Sequence, residues 1–133
     1  MKSSFAQGNT PLHLAARNGH FEVFRLIFQQ IDLKNPENKD GKTPFHDAAS
    51  IGHFEICRLI IGNLKDKNPP CFSGLTPLHN AARNGHISVC QLILRNVNDK
   101  NPIDFEGNTP LDVAKSNIIR AYSKLLFYHD LEP

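Results

Sequence analysis

Gly74-Leu75-Thr76-Pro77-Leu78-His79-Asn80-Ala81-Ala82-Arg83-Asn84-Gly85-His86 is the stretch from which the rest of the chain can be read. Thr followed by Pro starts a helix. The hydroxyl accepts a hydrogen bond from a free N–H of the first turn, and Pro fits the first helical position, where no N–H is needed. Leu-His-Asn-Ala-Ala continues that helix, and Gly85 can supply the left-handed residue that ends it. The pattern recurs every 33 residues: Gly8, Gly41, Gly74 and Gly107 each stand two residues before Thr10-Pro11, Thr43-Pro44, Thr76-Pro77 and Thr109-Pro110. The same phase carries Ala15, Ala48, Ala81 and Ala114, then Gly19-His20, Gly52-His53 and Gly85-His86, then Asn35-Pro36, Asn68-Pro69 and Asn101-Pro102. An uninterrupted internal period settles the architecture before any local signal is weighed.

After each Gly-His a second helix is expected, with apolar residues at helical spacing: Val23, Leu26 and Ile27, then Ile56, Leu59 and Ile60, then Val89, Leu92 and Ile93. Glu22 and Arg25, like Glu55 and Arg58, are three apart and read as a solvated outer face with weak pairing. Asn-Pro closes the segment because Pro cannot continue a helix. One such helix pair cannot bury its own apolar side, so neighbouring copies must stack to complete the core, with the Ala pairs allowing close approach.

These residues resemble the ankyrin repeat family, whose Thr-Pro-Leu-His-x-Ala pattern stands here as Thr10-Pro11-Leu12-His13-Leu14-Ala15 and Thr76-Pro77-Leu78-His79-Asn80-Ala81. Phe45 replaces Leu in the second copy and Asp112 replaces His in the fourth. The resemblance implies an all-α solenoid of antiparallel helix pairs with projecting hairpin-like loops. It implies a single domain, residues 1–133, of four repeats at about 5–37, 38–70, 71–103 and 104–133. It also implies that the His of the Thr-Pro-Leu-His pattern ties loop and helix ends together by hydrogen bonds.

Three departures stand out. The family's Gly-Ala-Asp-Val-Asn after the second helix is replaced by Ile31-Asp32-Leu33-Lys34-Asn35-Pro36 and Val97-Asn98-Asp99-Lys100-Asn101-Pro102, so the family's loop geometry is not carried over there. The first copy concentrates Phe5, Phe21, Phe24 and Phe28 near an end of the stack, which reads as a cut from a longer array or as a self-associating end. In the fourth copy Lys115 replaces the second Ala, Ile118 replaces Gly, and Ser123 falls where Phe24, Cys57 and Cys90 stand; that end reads as a solvent-facing cap.

Composition closes off several functions. Of 133 residues 40% are hydrophobic and 21% charged, the balance of a core-forming soluble domain. A net charge of +2 with no block of like charges argues against a nucleic-acid partner. The longest apolar runs, such as Leu59-Ile60-Ile61, fall far below the roughly 18 residues of a membrane span, and the first residues hold no apolar secretion signal. A cytoplasmic or nuclear setting without membrane contact is therefore expected.

Seven His invite a metal or acid–base reading, but His13, His46 and His79 share one repeat position and His20, His53 and His86 another, leaving only His129 outside. Residues one repeat apart stand roughly 10 Å apart if helices keep ordinary packing distance, whereas zinc ligands lie about 2 Å from one ion. Cys57 and Cys90 are likewise equivalent, beyond the roughly 7 Å limit for a disulfide, and read as small buried hydrophobes. Cys71, in a Pro-rich loop, is expected to be exposed. No phosphate loop or nucleophile elbow appears. No catalytic residue, cofactor site or metal site is assigned, and the chain is read as a non-enzyme.

What remains is a surface. In the family the partner contacts the loop tips and the exposed side of the first helix. Carried over, the resemblance nominates Arg17, Lys39, Lys42, Ile51, Phe72, Leu75, Asn80, Arg83 and Phe105 as partner-binding residues on a rigid concave face. Phe72, Leu75 and Phe105 would anchor and Arg17, Lys42 and Arg83 would steer acidic groups; alternatively, Phe72 and Phe105 fold back to pack the loops together. The expected partner is another protein. A second reading is a structural spacer, or a designed or truncated scaffold with no partner of its own.

Overall fold

The structure, a computed structural model, describes residues 6–121. Its helices are α1 (Pro11–Arg17), α2 (Phe21–Gln30), α3 (Pro44–Ile51), α4 (Phe54–Ile61), α5 (Pro77–Arg83), α6 (Ile87–Asn96) and α7 (Pro110–Val113). A further helical segment covers 116–121, and no strand occurs among the described residues. The first helices α1, α3, α5 and α7 pack in a row, and α2, α4 and α6 form a second layer behind them. Phe5, Ser123 and His129 lie outside the described residues.

Each Thr-Pro does the work its chemistry suggests. The Thr10, Thr43 and Thr76 hydroxyls accept from the backbone N–H of His13, His46 and His79, and each His ring in turn accepts from the Thr N–H. Two of the first-turn donors are thereby satisfied reciprocally. In the fourth copy Asp112 takes the role of the His, with Thr109 N–H donating to Asp112 Oδ2 at 2.9 Å. Gly52, at φ 75°, ends α3 in the left-handed conformation that a side chain would strain.

The core runs between the layers as an unbroken series that includes Leu12, Phe24, Phe45, Ile56, Ile60, Leu78, Val89 and Ile93. Ala48, Ala49, Ala81 and Ala82 have no exposed surface, as expected where α3 and α5 approach their neighbours. The second helices end on lysine side chains. Lys67 Nζ donates to Ile61 O at 2.6 Å and Leu64 O at 2.7 Å, and Lys100 Nζ donates to Leu94 O and Val97 O, both at 2.8 Å. Lys34 Nζ does the same to Phe28 O. A cation thus satisfies orphan carbonyls at the negative end of each helix dipole, and this is what Lys-Asn-Pro supplies in place of the family's usual loop. In the second copy the following Asn68 accepts from Leu78 N–H at 3.0 Å and fastens the loop to α5.

One expectation needs correction. Phe24 and Phe28 do not form an exposed apolar end: they are 0% and 2% exposed and stack on each other at 5.4 Å, while Phe21 is half-buried. The exposed apolar side chains there are Val23 at 49% and Leu26 at 56%. They occupy the positions at which Ile56 and Val89 are buried and Leu59 and Leu92 half-buried, and they differ only because no described helix stands on that side. In the fourth copy α7 is four residues long, against seven or eight for α1, α3 and α5. Its backbone turns extended at Ala114, and Lys115 N–H bonds to Ala82 O of the preceding copy at 3.1 Å.

Replacing Lys67 with Met keeps the aliphatic stem and removes the cap. Urea unfolding should show a loss of about 1–2 kcal/mol with an unchanged m-value. Lys65→Met, at an exposed neighbouring position, should stay within about 0.5 kcal/mol. Equal effects would mean that the Lys67 contacts contribute nothing.

Candidate functional site

The loop tips are built on one turn, used repeatedly. Asn38 Oδ1 accepts from the N–H groups of Asp40 and Lys42 at 2.9 and 3.0 Å, and Asp104 Oδ1 accepts from Glu106 and Asn108 at 2.9 and 2.8 Å. Cys71 occupies the same position, with its N–H donating to Leu75 O at 2.8 Å, as Asn38 donates to Lys42 O and Asp104 to Asn108 O. Its side chain therefore points into the turn. Cys71 is 4% exposed, with Sγ 3.2 Å from Ser73 Oγ, which corrects the expectation of an exposed thiol.

Successive tips are joined by backbone. Lys39 N–H donates to Gln7 O, Phe72 N–H to Asp40 O and Phe105 N–H to Ser73 O, at 2.9 to 3.0 Å. Each Phe ring also lies over the glycine of the preceding tip. A Cβ on Gly41 would fall 2.5 Å from the Phe72 ring, and one on Gly74 would fall 2.9 Å from the Phe105 ring. The rings thus rest on glycine, yet Phe72 remains 61% and Phe105 78% exposed. They brace the loops and still present an apolar face. Phe72 shares a shallow cleft with Leu75, Lys39 and Lys42, whereas Phe105 lines a larger neighbouring cleft with Ile103 and Pro70.

Beneath the tips, histidines lock each first helix to the next loop. His13 Nε2 lies 2.7 Å from Lys42 O, His46 Nε2 2.9 Å from Leu75 O, and His79 Nε2 2.8 Å from Asn108 O. A carbonyl only accepts, so each Nε2 carries the proton and Nδ1 is left to accept from the Thr N–H. His86 makes a second kind of tie: Nε2–H donates to Ser50 O at 2.9 Å and its ring covers Gly52. The 33-residue recurrence of Gly-His was the signal for that contact.

Of the nominated residues, Arg17, Lys39, Ile51, Phe72, Arg83 and Phe105 are exposed, and Lys42 and Leu75 are half-buried. Asn80 is a correction. It is 9% exposed, facing α3 with Nδ2 3.5 Å from His46 O, and offers a partner little surface. Asp47, the equivalent residue one copy earlier, is also buried. Arg17 Nη2 lies 3.4 Å from Asp47 Oδ1, but burial outweighs that attraction and raises the carboxyl above its ordinary value.

The reactive side chains are turned inward. Cys57 and Cys90 are buried free thiols pushed up to about 12 by desolvation, which makes them poor nucleophiles. Among the described residues no group of three or more His, Cys, Asp or Glu is placed to hold a metal ion, and no helix is long and apolar enough to cross a membrane.

Comparison with known families gives a match to the model described as ankyrin repeats (3 copies), over residues 1–71 and 58–133. Among curated proteins, none matches the sequence.

Burial lowers His46 from 6.5 to about 4 and lowers His79 in the same direction, in each case against the raising effect of its carbonyl bond. The unfolded chain takes up these protons first. The stability contributed by neutral His46 is therefore present above pH 6.5 and is lost as the pH falls towards 4. That loss amounts to roughly 3 kcal/mol. Asp47, raised by burial, acts in the opposite sense and offsets part of it. Urea unfolding at pH 7.5, 5.5 and 4.5 should show a falling midpoint; a flat profile would contradict burial of a neutral His46.

Proposed function

Because the chain belongs to the ankyrin-repeat family, whose members generally bind other proteins and are generally non-enzymatic, we propose that it presents one rigid surface of loop tips and first helices to a protein partner. The reading takes residues 1–133 as one four-repeat domain, with the partner seated on a concave face. Arg17, Lys39, Ile51, Arg83, Phe72 and Phe105 supply the accessible contacts, with Lys42 and Leu75 at the rim. Asn80 is withdrawn to a packing role.

The observation that carries this reading is the exposure of two aromatic rings, 61% and 78%, on adjacent tips held by backbone hydrogen bonds. Large exposed apolar groups on fixed backbone are the material of binding hot spots. Their order is established on folding, so association costs little further conformational entropy.

Phe72→Ala with Phe105→Ala should weaken partner binding by roughly tenfold or more, leaving helical circular dichroism unchanged. Photo-crosslinking groups placed at 72 and 105 should capture a discrete protein, whereas groups at Arg58 and Arg95 on the second helices should not. Equal capture from both sets, or collapse of the fold in the double variant, would overturn the assignment.

A further inference from the structure

Successive notches of the tip row share one backbone and differ in charge. Between the second and third tips, Lys39, Asp40, Lys42, Phe72, Ser73 and Leu75 line a cleft of about 420 Å³. One copy further on, Phe72 and Leu75 take the register positions of Lys39 and Lys42, Ser73 takes that of Asp40, and Glu106 takes that of Ser73. At these positions two cations against one carboxylate give way to a carboxylate with no cation. Both lysines stand on fixed backbone. Lys39 N–H donates to Gln7 O at 2.9 Å, and its stem lies over Gly8, 3.3 Å from where a Cβ would stand. Lys42 N–H donates to Asn38 Oδ1 at 3.0 Å, and Lys42 O accepts from Asn38 N–H at 2.9 Å and from His13 Nε2 at 2.7 Å. Asp47, the acidic residue that follows Lys42 in the chain, is buried and already met by Arg17 Nη2 at 3.4 Å. In the same cleft the Phe72 ring, resting on Gly41, is 61% exposed.

We propose that this cleft takes an acidic and apolar segment of the partner protein: an aspartate or glutamate between the Lys39 and Lys42 ammonium groups, and a neighbouring bulky apolar side chain against Phe72 and Leu75. The inference rests on the surface proposed above and adds the chemistry and direction of what lies on it. The acidic residue falls over the second tip and the apolar residue towards the third. Charge complementarity selects this occupant, because two ammonium groups repel a basic segment and lose hydration without compensation under an uncharged one. Exposed ion pairs are individually weak, so the apolar contact supplies most of the hold and the lysines choose what is held.

The test titrates the full chain, uniformly ¹⁵N-labelled, with three capped hexapeptides: Gly-Asp-Asp-Leu-Phe-Gly, and the same peptide with asparagine or lysine in place of both aspartates. Saturable shifts with the acidic peptide should centre on the amides of Lys39, Lys42, Phe72 and Leu75, and the lysine peptide should bind roughly tenfold more weakly. Lys39→Gln and Lys42→Gln should each weaken the acidic peptide about two- to fivefold and leave the asparagine peptide unchanged. If Lys42→Gln disturbs its turn, Lys39→Gln decides together with salt. Raising salt from about 50 to about 500 mM should weaken the acidic peptide and spare the asparagine one. Equal affinity for all three peptides at Phe72 and Phe105 would overturn this proposal and leave the surface reading standing. Shifts centred on Arg58 and Arg95 would contradict the surface reading itself. No saturable shift at the four amides overturns the proposal. So do concentration-dependent shifts there without peptide, which assign the cleft to a second copy. Shifts there on changing Asp130 to Asn and Glu132 to Gln would assign it to the chain's own tail, and would overturn it equally.

Discussion

The bond on which the stack depends is the one from a buried imidazole to the carbonyl just ahead of the next copy's helix. His13, His46 and His79 each do two jobs: one nitrogen receives the N–H of the Thr that opens its own helix, and the other donates to Lys42, Leu75 or Asn108. A helix start and the following loop therefore cannot move independently. Without that link each seven- or eight-residue first helix, too short to persist alone, would lose its tie to the loop ahead of the next copy. With it, the imidazole nitrogens and the carbonyls they reach are satisfied in the interior and the register between copies is fixed. The fourth copy shows the alternative. Asp112 can cap its own Thr but has no proton to send onward, and the helix it opens is the shortest of the described first helices.

Above the histidines, glycine makes close approach of loops and turns possible. Phe72 rests on Gly41 and Phe105 on Gly74, while His86 rests on Gly52. Each ring lies where a Cβ would otherwise stand, so the recurring glycines serve packing between copies as well as turning within them. The tips gain order from these contacts and from the backbone bonds between them, and the rings nevertheless keep an open face. An exposed apolar surface follows from the way the loops brace one another.

Much of this was legible from spacing. The helix starts at Thr10, Thr43, Thr76 and Thr109, the turns at Gly19, Gly52 and Gly85, and the inward placement of Cys57 and Cys90 all follow from position in the 33-residue period. What escaped depended on neighbours or on exact turn chemistry. Cys71 reads as a loop residue, and only its alignment with Asn38 and Asp104, two side chains that fold back into their own turns, signals burial. Val23 and Leu26 carry the same pattern as Ile56 and Leu59 and lie exposed because burial belongs to the pair of copies, not to the helix. The capping lysines Lys34, Lys67 and Lys100 recur every 33 residues in Lys-Asn-Pro, but the period alone does not tell a side chain that reaches back six residues to a carbonyl from one that points to solvent. Asn80 was misjudged because its side of α5 faces α3.

The most direct test of the account is a long-range ¹H–¹⁵N correlation spectrum of the imidazoles in the folded chain, read together with hydrogen exchange. His13, His46 and His79 should each appear as the single tautomer protonated at Nε2, with that proton protected from solvent exchange, while exposed His20 should exchange freely. Protonation of these three rings at Nδ1, or Nε2 protons exchanging as fast as those of His20, would contradict it.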